Sequence, residues 1–240
     1  PMPDTPLRLT RDQTRRVDRL AVERLGLPSI VLMENAALNA ASFVIDLLQR
    51  DEEHLGPDPQ IAILCGGGNN GGDGYALARH VHNFGLGVTC YAVSDPAQLR
   101  GDAKINHDAD ASLGFDIVPV LDDEQKDRAT ADWKLAALVV DAMLGTGFHG
   151  EVRSRMAGII HALNQLDHPR VLALDTPSGL DCDTGQPSNA TVRATATITF
   201  VAEKTGFAQP AAHDHLGEVV TADIGLPLDW THHVATQPPA

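Results

Sequence analysis

Positive charge is what this chain has least of. Eighteen lysines and arginines stand against 32 aspartates and glutamates, a formal net charge of −14 at pH 7 over 240 residues. A surface of that sign repels nucleic acid and anionic membranes, and no basic stripe in the sequence offsets it. An anionic ligand would have to be held by backbone dipoles or with the help of a cation. Cysteine is also scarce. Cys65, Cys90 and Cys182 are odd in number and far apart, which fits reduced thiols in the cytoplasm better than a disulfide framework. His213-x-His215 and His232-His233 have no cysteines at zinc-ligand spacing beside them. No apolar run reads as long enough to cross a bilayer, and the N-terminus lacks the basic-then-apolar order of a secretory signal. Aromatic residues make up only 4%, but the 43% apolar content and the length suffice for a large α/β core.

Glycine, by contrast, is concentrated at one place. Gly66-Gly67-Gly68-Asn69-Asn70-Gly71-Gly72-Asp73-Gly74 holds six glycines in nine residues. It follows the apolar run Ile61–Cys65 and leads into Tyr75-Ala76-Leu77-Ala78. A strand, a glycine-rich bend and a helix put free N–H groups at a helix N-terminus, which favours an anion such as phosphate. No Lys-Ser/Thr pair follows, so this is not a P-loop. Gly66, Gly68 and Gly71 satisfy Gly-x-Gly-x-x-Gly formally. Two asparagines and an aspartate in the turn imply a site that reads more than charge.

Helical spacing over 10–25, opened by Thr10 with Asp12 and Gln13, and over Ser29–Leu48 predicts a two-helix preface. Gly56-Pro57-Asp58-Pro59 is expected to end it. Strands are then expected over 61–65, 87–93, 117–120, 137–141, 170–175, 195–201 and 218–222, with helices near 73–84, 101–113, 123–132 and 152–166. Continuous apolar strands such as Ala136–Val140 are the kind buried on both faces of a parallel sheet. The alternation implies one doubly wound, Rossmann-like α/β domain with a mostly parallel sheet, its core over about 10–228. The tail after Leu228 is expected to fray.

In such folds ligands sit at the carboxyl ends of the strands. Three segments fall there: the glycine loop, Asp141-Ala142-Met143-Leu144-Gly145-Thr146-Gly147, and Asp175-Thr176-Pro177-Ser178-Gly179. An aspartate closing a buried strand is expensive unless it is paired, hydrogen-bonded or bound to a cation. Singly, each aspartate could be a turn cap. Together with the glycine loop they point to a site.

These three segments resemble the YjeF N-terminal domain family, the NAD(P)H-hydrate epimerases. So do Leu32-Met33-Glu34-Asn35-Ala36, Thr197-x-Thr199-Phe200 with Lys204-x-Gly206, and Asp223-Ile224-Gly225-Leu226-Pro227, so that the likeness runs over about 10–228. The resemblance implies a metabolite-repair isomerase that interconverts the R and S epimers of NADH or NADPH hydrated at C6 (NADHX, NADPHX). A separate ADP- or ATP-dependent dehydratase then acts on the S form. By position, Asn69, Asn70, Gly71, Gly72 and Asp73 would hold the hydrated cofactor, with Gly145, Thr146, Gly147, Phe148, His149, Gly150 and Glu151 as a second binding loop. Asp175 would contact the nicotinamide end, and Asn70, Asp141 and Ser178 would ligate potassium, whose hardness suits oxygen donors. The C6 centre is a hemiaminal, so a carboxyl group that gives and then takes a proton suffices for chemistry, and Asp175 is the candidate. Lys204 is a phosphate anchor, an electrostatic aid or a solvated surface residue. Gly67 stands where relatives have proline. With no dehydratase domain following, a standalone form is expected, and the resemblance and the apolar preface suggest a homodimer.

Two other readings stay open. One is a catalytically inactive nucleotide-binding or scaffold module of the same fold. The other is a nucleotide-dependent oxidoreductase with Asp95 as the ribose-binding acid, against which stands Asp73 close to the expected pyrophosphate.

Overall fold

Thr10 starts the first helix in the way its side chain predicts. In the computed structural model, which describes residues 6–50, 58–166 and 170–236, a two-residue strand β1 (Arg8–Leu9) leads into helix α1 (Arg11–Leu25). Thr10 Oγ1 accepts from Gln13 N at 3.3 Å and Gln13 Oε1 accepts from Thr10 N at 2.8 Å, a complete capping box. Gly26, at φ 68°, ends the helix.

Helix α2 (Ser29–Gln49) buries Leu32, Met33, Ala36, Ala40, Val44 and Leu48 among others. By length and composition it is long and apolar enough to cross a membrane, contrary to the sequence expectation, because Glu34, Asn35 and Asn39 do not dilute its apolar residues enough. Half of that stretch is buried inside the molecule. The stop expected at Gly56-Pro57 lies outside the described residues.

The sheet follows the alternating pattern. Strands β2 (Gln60–Cys65), β3 (Gly87–Ala92), β4 (Asp116–Pro119), β5 (Leu138–Ala142), β6 (Arg170–Leu174) and β7 (Ala196–Phe200) are followed by β8 (Glu203–Lys204) and β9 (Glu218–Ala222). Seven of them form one all-parallel sheet in the order β4-β3-β2-β5-β6-β7-β9. Helices α3 (Asn69–Asn83), α4 (Gly101–Leu113), α5 (Asp123–Trp133) and α6 (Ser154–Asn164) make the crossovers, with a short α7 (His213–Leu216) before β9. Successive strand residues serve opposite layers, as a period of two requires. Ile61, Ile63, Leu138 and Val140 join the core under α1, α2 and α3. Ala62, Leu64, Val139 and Val171 join the core with Trp133, Ile159 and Ile160 of α5 and α6. Strand order reverses between β2 and β5, so the crevice at their carboxyl ends is the topological switch point.

Three features depart from the sequence reading. Helix α3 begins at Asn69, inside the glycine run, rather than near residue 73. Glycine's weak helix propensity hid this start. Packing requires the glycines, since a Cβ on Gly71 would sit 2.0 Å from the Gly66 carbonyl oxygen. The tail does not fray over 228–236. Helix α8 (Leu228–Thr236) buries Val234 and Ala235, and Gln13 Nε2 of α1 donates to its Ala235 carbonyl at 3.1 Å. Finally, β1 pairs in parallel with β8, Arg8 opposite Glu203 and Leu9 opposite Lys204.

Candidate active site

The crevice opens because glycine lets two loops approach closely. Gly66 N–H donates to the Ala142 carbonyl at 3.0 Å, and a Cβ on Gly66 would lie 1.9 Å from the Met143 carbonyl oxygen. Gly68 caps α3 without a side chain, so the first N–H groups of that helix are left to other acceptors. At this point a cavity of about 480 Å³ lies over the carboxyl ends of the central strands. Its walls include Gly67, Gly68, Asn69, Asn70 and Asp73 from the glycine loop and α3, and Gly145, Thr146, Gly147 and Phe148 after β5. Asp175 after β6 and Phe200 and Val201 after β7 join them.

Asp175 is held with unusual rigidity. Its φ is 63°, and Thr176 N–H donates back to the Leu174 carbonyl at 2.7 Å, closing a three-residue turn. One strand over, Val201 repeats the device, with φ 72° and an Ala202 N–H to Phe200 carbonyl bond of 2.8 Å. A β-branched residue in that region is strained, and two such turns side by side at strand ends mark a functional site. Asp175 Oδ2 accepts the Thr146 N–H at 2.9 Å, and Oδ1 pairs with Lys204 Nζ at 2.9 Å. Lys204 is 0% exposed, and its ammonium also donates to Thr199 Oγ1 (2.8 Å), the Phe200 carbonyl (2.9 Å) and the Ala202 carbonyl (3.1 Å). That removes both the surface lysine and the phosphate anchor from consideration. Lys204 ties the two strained turns together and faces the Asp175 carboxylate.

Asp141 and Ser178 lie fully buried behind the cavity wall. Ser178 Oγ donates to Asp141 Oδ1 at 2.6 Å, while Ser178 N–H and Met143 N–H donate to the two carboxylate oxygens at 2.8 and 3.2 Å. Burial nevertheless pushes the Asp141 carboxyl up to about 6, the three hydrogen bonds pulling the other way. Asn70 is buried with neither its Oδ1 nor its Nδ2 partnered. The unpaired Asn70 amide, the buried Asp141 carboxylate and the Ser178 hydroxyl are oxygen donors of the kind a monovalent cation takes.

Not every candidate reaches the cavity. Gly71 and Gly72 are buried in α3 behind it, and His149, Gly150 and Glu151 lie on the exposed part of their loop. Asp95 caps a 3-10 turn, its Oδ1 accepting the Ala97 N–H at 3.0 Å, and does not line the cavity. Three residues of α1 were missed by sequence reasoning. Arg11 Nε donates to the Thr146 carbonyl at 2.6 Å and its Nη2 to the Phe148 carbonyl at 2.8 Å and Asp181 at 3.1 Å, clamping the second loop from outside. Arg15 and Asp18 line the cavity itself, and Arg15 is the one cationic side chain among its described lining residues. The available signal was helical spacing, because 11, 15 and 18 share one face. Asp73, half-buried, is pushed well above the usual carboxylate range by burial and then by repulsion from Asp175, Asp18 and Asp102.

Residues 29–206 match the family described as YjeF-related protein N-terminus. The NAD(P)H-hydrate epimerase of Pirellula staleyi is 39% identical over 234 residues, covering 95% of this chain and 96% of that protein. The NAD(P)H-hydrate epimerase of Rhodopirellula baltica is 38% identical, covering 92% and 85%. The bifunctional NAD(P)H-hydrate repair enzyme Nnr of Moorella thermoacetica is 37% identical over 95% of this chain, which spans only 42% of that longer protein. The crystal structure of yeast ynu0 superposes with a TM-score of 0.79 at 18% identity, covering 98% of this chain and 96% of that one, and shows the same fold.

Proposed function

We propose a reaction from one premise: this chain belongs to the YjeF-related N-terminal family. It is an NAD(P)H-hydrate epimerase, an isomerase of damaged nicotinamide cofactors. The observation that carries the reading is the Asp175 carboxylate, fixed in a strained turn by Lys204 and Thr146 on the wall of a cavity that starts at the α3 N-terminus.

The proposed division of labour follows the chemistry of the substrate. The N–H groups at the start of α3, with Asn69 and Asn70, take the phosphates. Gly145 to Phe148, held by Arg11, close over the nicotinamide half. Gly71 and Gly72 support the loop from behind, and His149, Gly150 and Glu151 form its outer part. At C6 a hydroxyl shares its carbon with the ring nitrogen. Protonation of that hydroxyl lets it leave as water, the nitrogen lone pair forms an iminium, and water adds to the other face. Asp175 takes part in these proton transfers. Asn70, Asp141 and Ser178 would hold a potassium ion, which would offset the burial of Asp141 and anchor the glycine loop. The unpartnered Asn70 amide supports this.

A second activity on the same damaged cofactors resides in the longer, bifunctional relatives, and an ADP- or ATP-dependent dehydratase is the partner reaction proposed for this chain. The free, buried Cys65, Cys90 and Cys182 support a reducing compartment such as the cytoplasm. Exposed Val22, Leu25, Val31 and Leu38 on the preface helices support a homodimer. Leu38→Glu is then expected to shift the sedimentation coefficient to that of a monomer, and an unchanged coefficient would remove this face from the interface.

The deciding experiment follows interconversion of R and S NADHX by chromatography, with and without protein, in potassium and potassium-free buffer. Acceleration is expected in both, faster with potassium, and potassium is expected to raise the melting temperature of the wild type but not of Asp141→Asn. No acceleration in either buffer would transfer the weight to a binding module.

A further inference from the structure

We propose that Asp18 of α1 is a second catalytic acid–base group, acting on the C6 oxygen from the α1 wall of the cavity while Asp175 acts from the sheet. This rests on the epimerase reading and deepens it. Inversion moves oxygen off one face of C6 and onto the other, and one fixed carboxylate cannot serve both faces unless the bound ring turns over. Asp175 is fixed, with Thr146 N–H on one oxygen and Lys204 Nζ on the other. Both oxygens therefore already receive donors, an arrangement suited to accepting a proton from incoming water. In that direction the donor to the departing hydroxyl has to be another group, on the opposite face of C6, and in the reverse direction the two groups exchange roles.

Three further carboxyl groups line the cavity: Asp18, Asp73 and Asp102. Asp73 follows the α3 N-terminus, where phosphate is expected, and Asp102 stands in the first turn of α4. Asp18 is the one that feels both members of the Asp175–Lys204 pair directly. No hydrogen bond to it is found among the described residues, so its carboxyl is free to meet a ligand. It faces Asp175 from the β6 loop, Lys204 from β8 and Asp73 from α3, with Arg15 on its own helix. Helices α2 and α8 both pack against α1; from α2 only uncharged Ser29, Leu32, Met33 and Ala36 line the cavity, and no residue of α8 does. Although the residue is exposed overall, desolvation by the surrounding cavity walls first and the Asp175 charge second push the Asp18 carboxyl up to about 6, Lys204 opposing. Its side chain remains open to cavity water, so it re-equilibrates between turnovers.

The step balances as follows. Asp18 gives its proton to the C6 hydroxyl, the C6–O bond breaks, and water departs as the ring nitrogen supplies the electron pair of the iminium bond. A second water adds to the opposite face of C6, a new C6–O bond forms, and its proton passes to the Asp175 carboxylate. Proton exchange with cavity water restores both groups, and the reverse epimerisation runs the same steps backwards.

The test measures R-to-S and S-to-R rates of NADHX in ¹⁸O-labelled water from pH 5 to 8 for wild type, Asp18→Asn and Asp18→Glu, with uncatalysed rates subtracted and melting curves recorded. Asp18→Asn is expected to lose about 100-fold or more in kcat with KM little changed, and Asp18→Glu to recover part of the loss. Wild-type kcat is expected to fall as pH rises through about 6, and the folded Asp18→Asn protein to lack that limb. Each wild-type epimerisation should take one oxygen from solvent. An active wild type with an unimpaired Asp18→Asn variant overturns this inference alone, as does epimerisation without solvent oxygen. Should Asp18→Asn not fold, a wild-type profile flat from pH 5 to 8 overturns it. A wild type that accelerates nothing overturns the epimerase reading as well.

Discussion

Replacing Asp175 by Asn is expected to lower kcat by about 10²- to 10⁴-fold, the range over which a positioned acid–base group contributes. The amide keeps the size of the side chain, and its oxygen can still accept the Thr146 N–H now held at 2.9 Å. Its NH₂ group, however, would face the Lys204 ammonium, donor against donor, and it carries no charge to take a proton. Lys204 retains Thr199 Oγ1 and the Phe200 and Ala202 carbonyls, so the fold should survive. Equilibrium dialysis against NADHX is expected to show binding close to that of wild type, beside near-total loss of turnover. Turnover at the wild-type rate would remove Asp175 from the chemistry.

Lys204→Met should damage both stability and rate. The ammonium is wholly buried and serves four oxygens. Breaking a buried ion pair from one side costs about 3–5 kcal/mol. Because the Asp175 side chain keeps 13% exposure to the cavity, water relieves part of that, and about 3 kcal/mol is the expected loss. For a chain of this size it corresponds to a fall of roughly 6–12 °C in Tm. Urea unfolding gives the first number and a melting curve the second. The rate should fall about as far as in Asp175→Asn, since Val201 and Asp175 would both be released from their strained turns. A variant as stable and active as wild type would mean that the lysine only fills space.

The parts of this molecule legible in its sequence are those governed by short-range pattern. Short apolar runs such as Leu138–Val140, set between helical patterns, read as two-sided strands, and Thr10 with Gln13 announces a helix start. The glycine loop and the two strand-end aspartates were visible because each violates a local preference without local compensation. What stayed hidden depends on distant partners. Lys204 reads as a solvated residue until a two-residue strand, too short to carry any periodicity, turns it inward against Asp175. Arg11, Arg15 and Asp18 lie on a helix rich in charge, where solvent is the default neighbour, and only the third dimension puts the cavity there. Helix α8 reads as a tail in the sequence because Pro227 and the paired histidines mask the few apolar residues that dock it on α1.

The small sheet of β1 and β8 also has a bearing on the order in which the molecule becomes whole. Leu9 meets Lys204 there, and the neighbouring Arg8–Glu203 ion pair joins residues 195 positions apart. Closing so long a loop is entropically unfavourable until the intervening chain is already compact. The seven-stranded sheet can assemble largely from neighbouring crossover units, whereas the pairing of β1 with the strand that carries the buried lysine waits on a contact between segments about 195 residues apart. During synthesis β1 leaves the ribosome long before its partner strand β8 exists. Structure therefore precedes competence, and a partly made chain presents a sheet with an unfinished site.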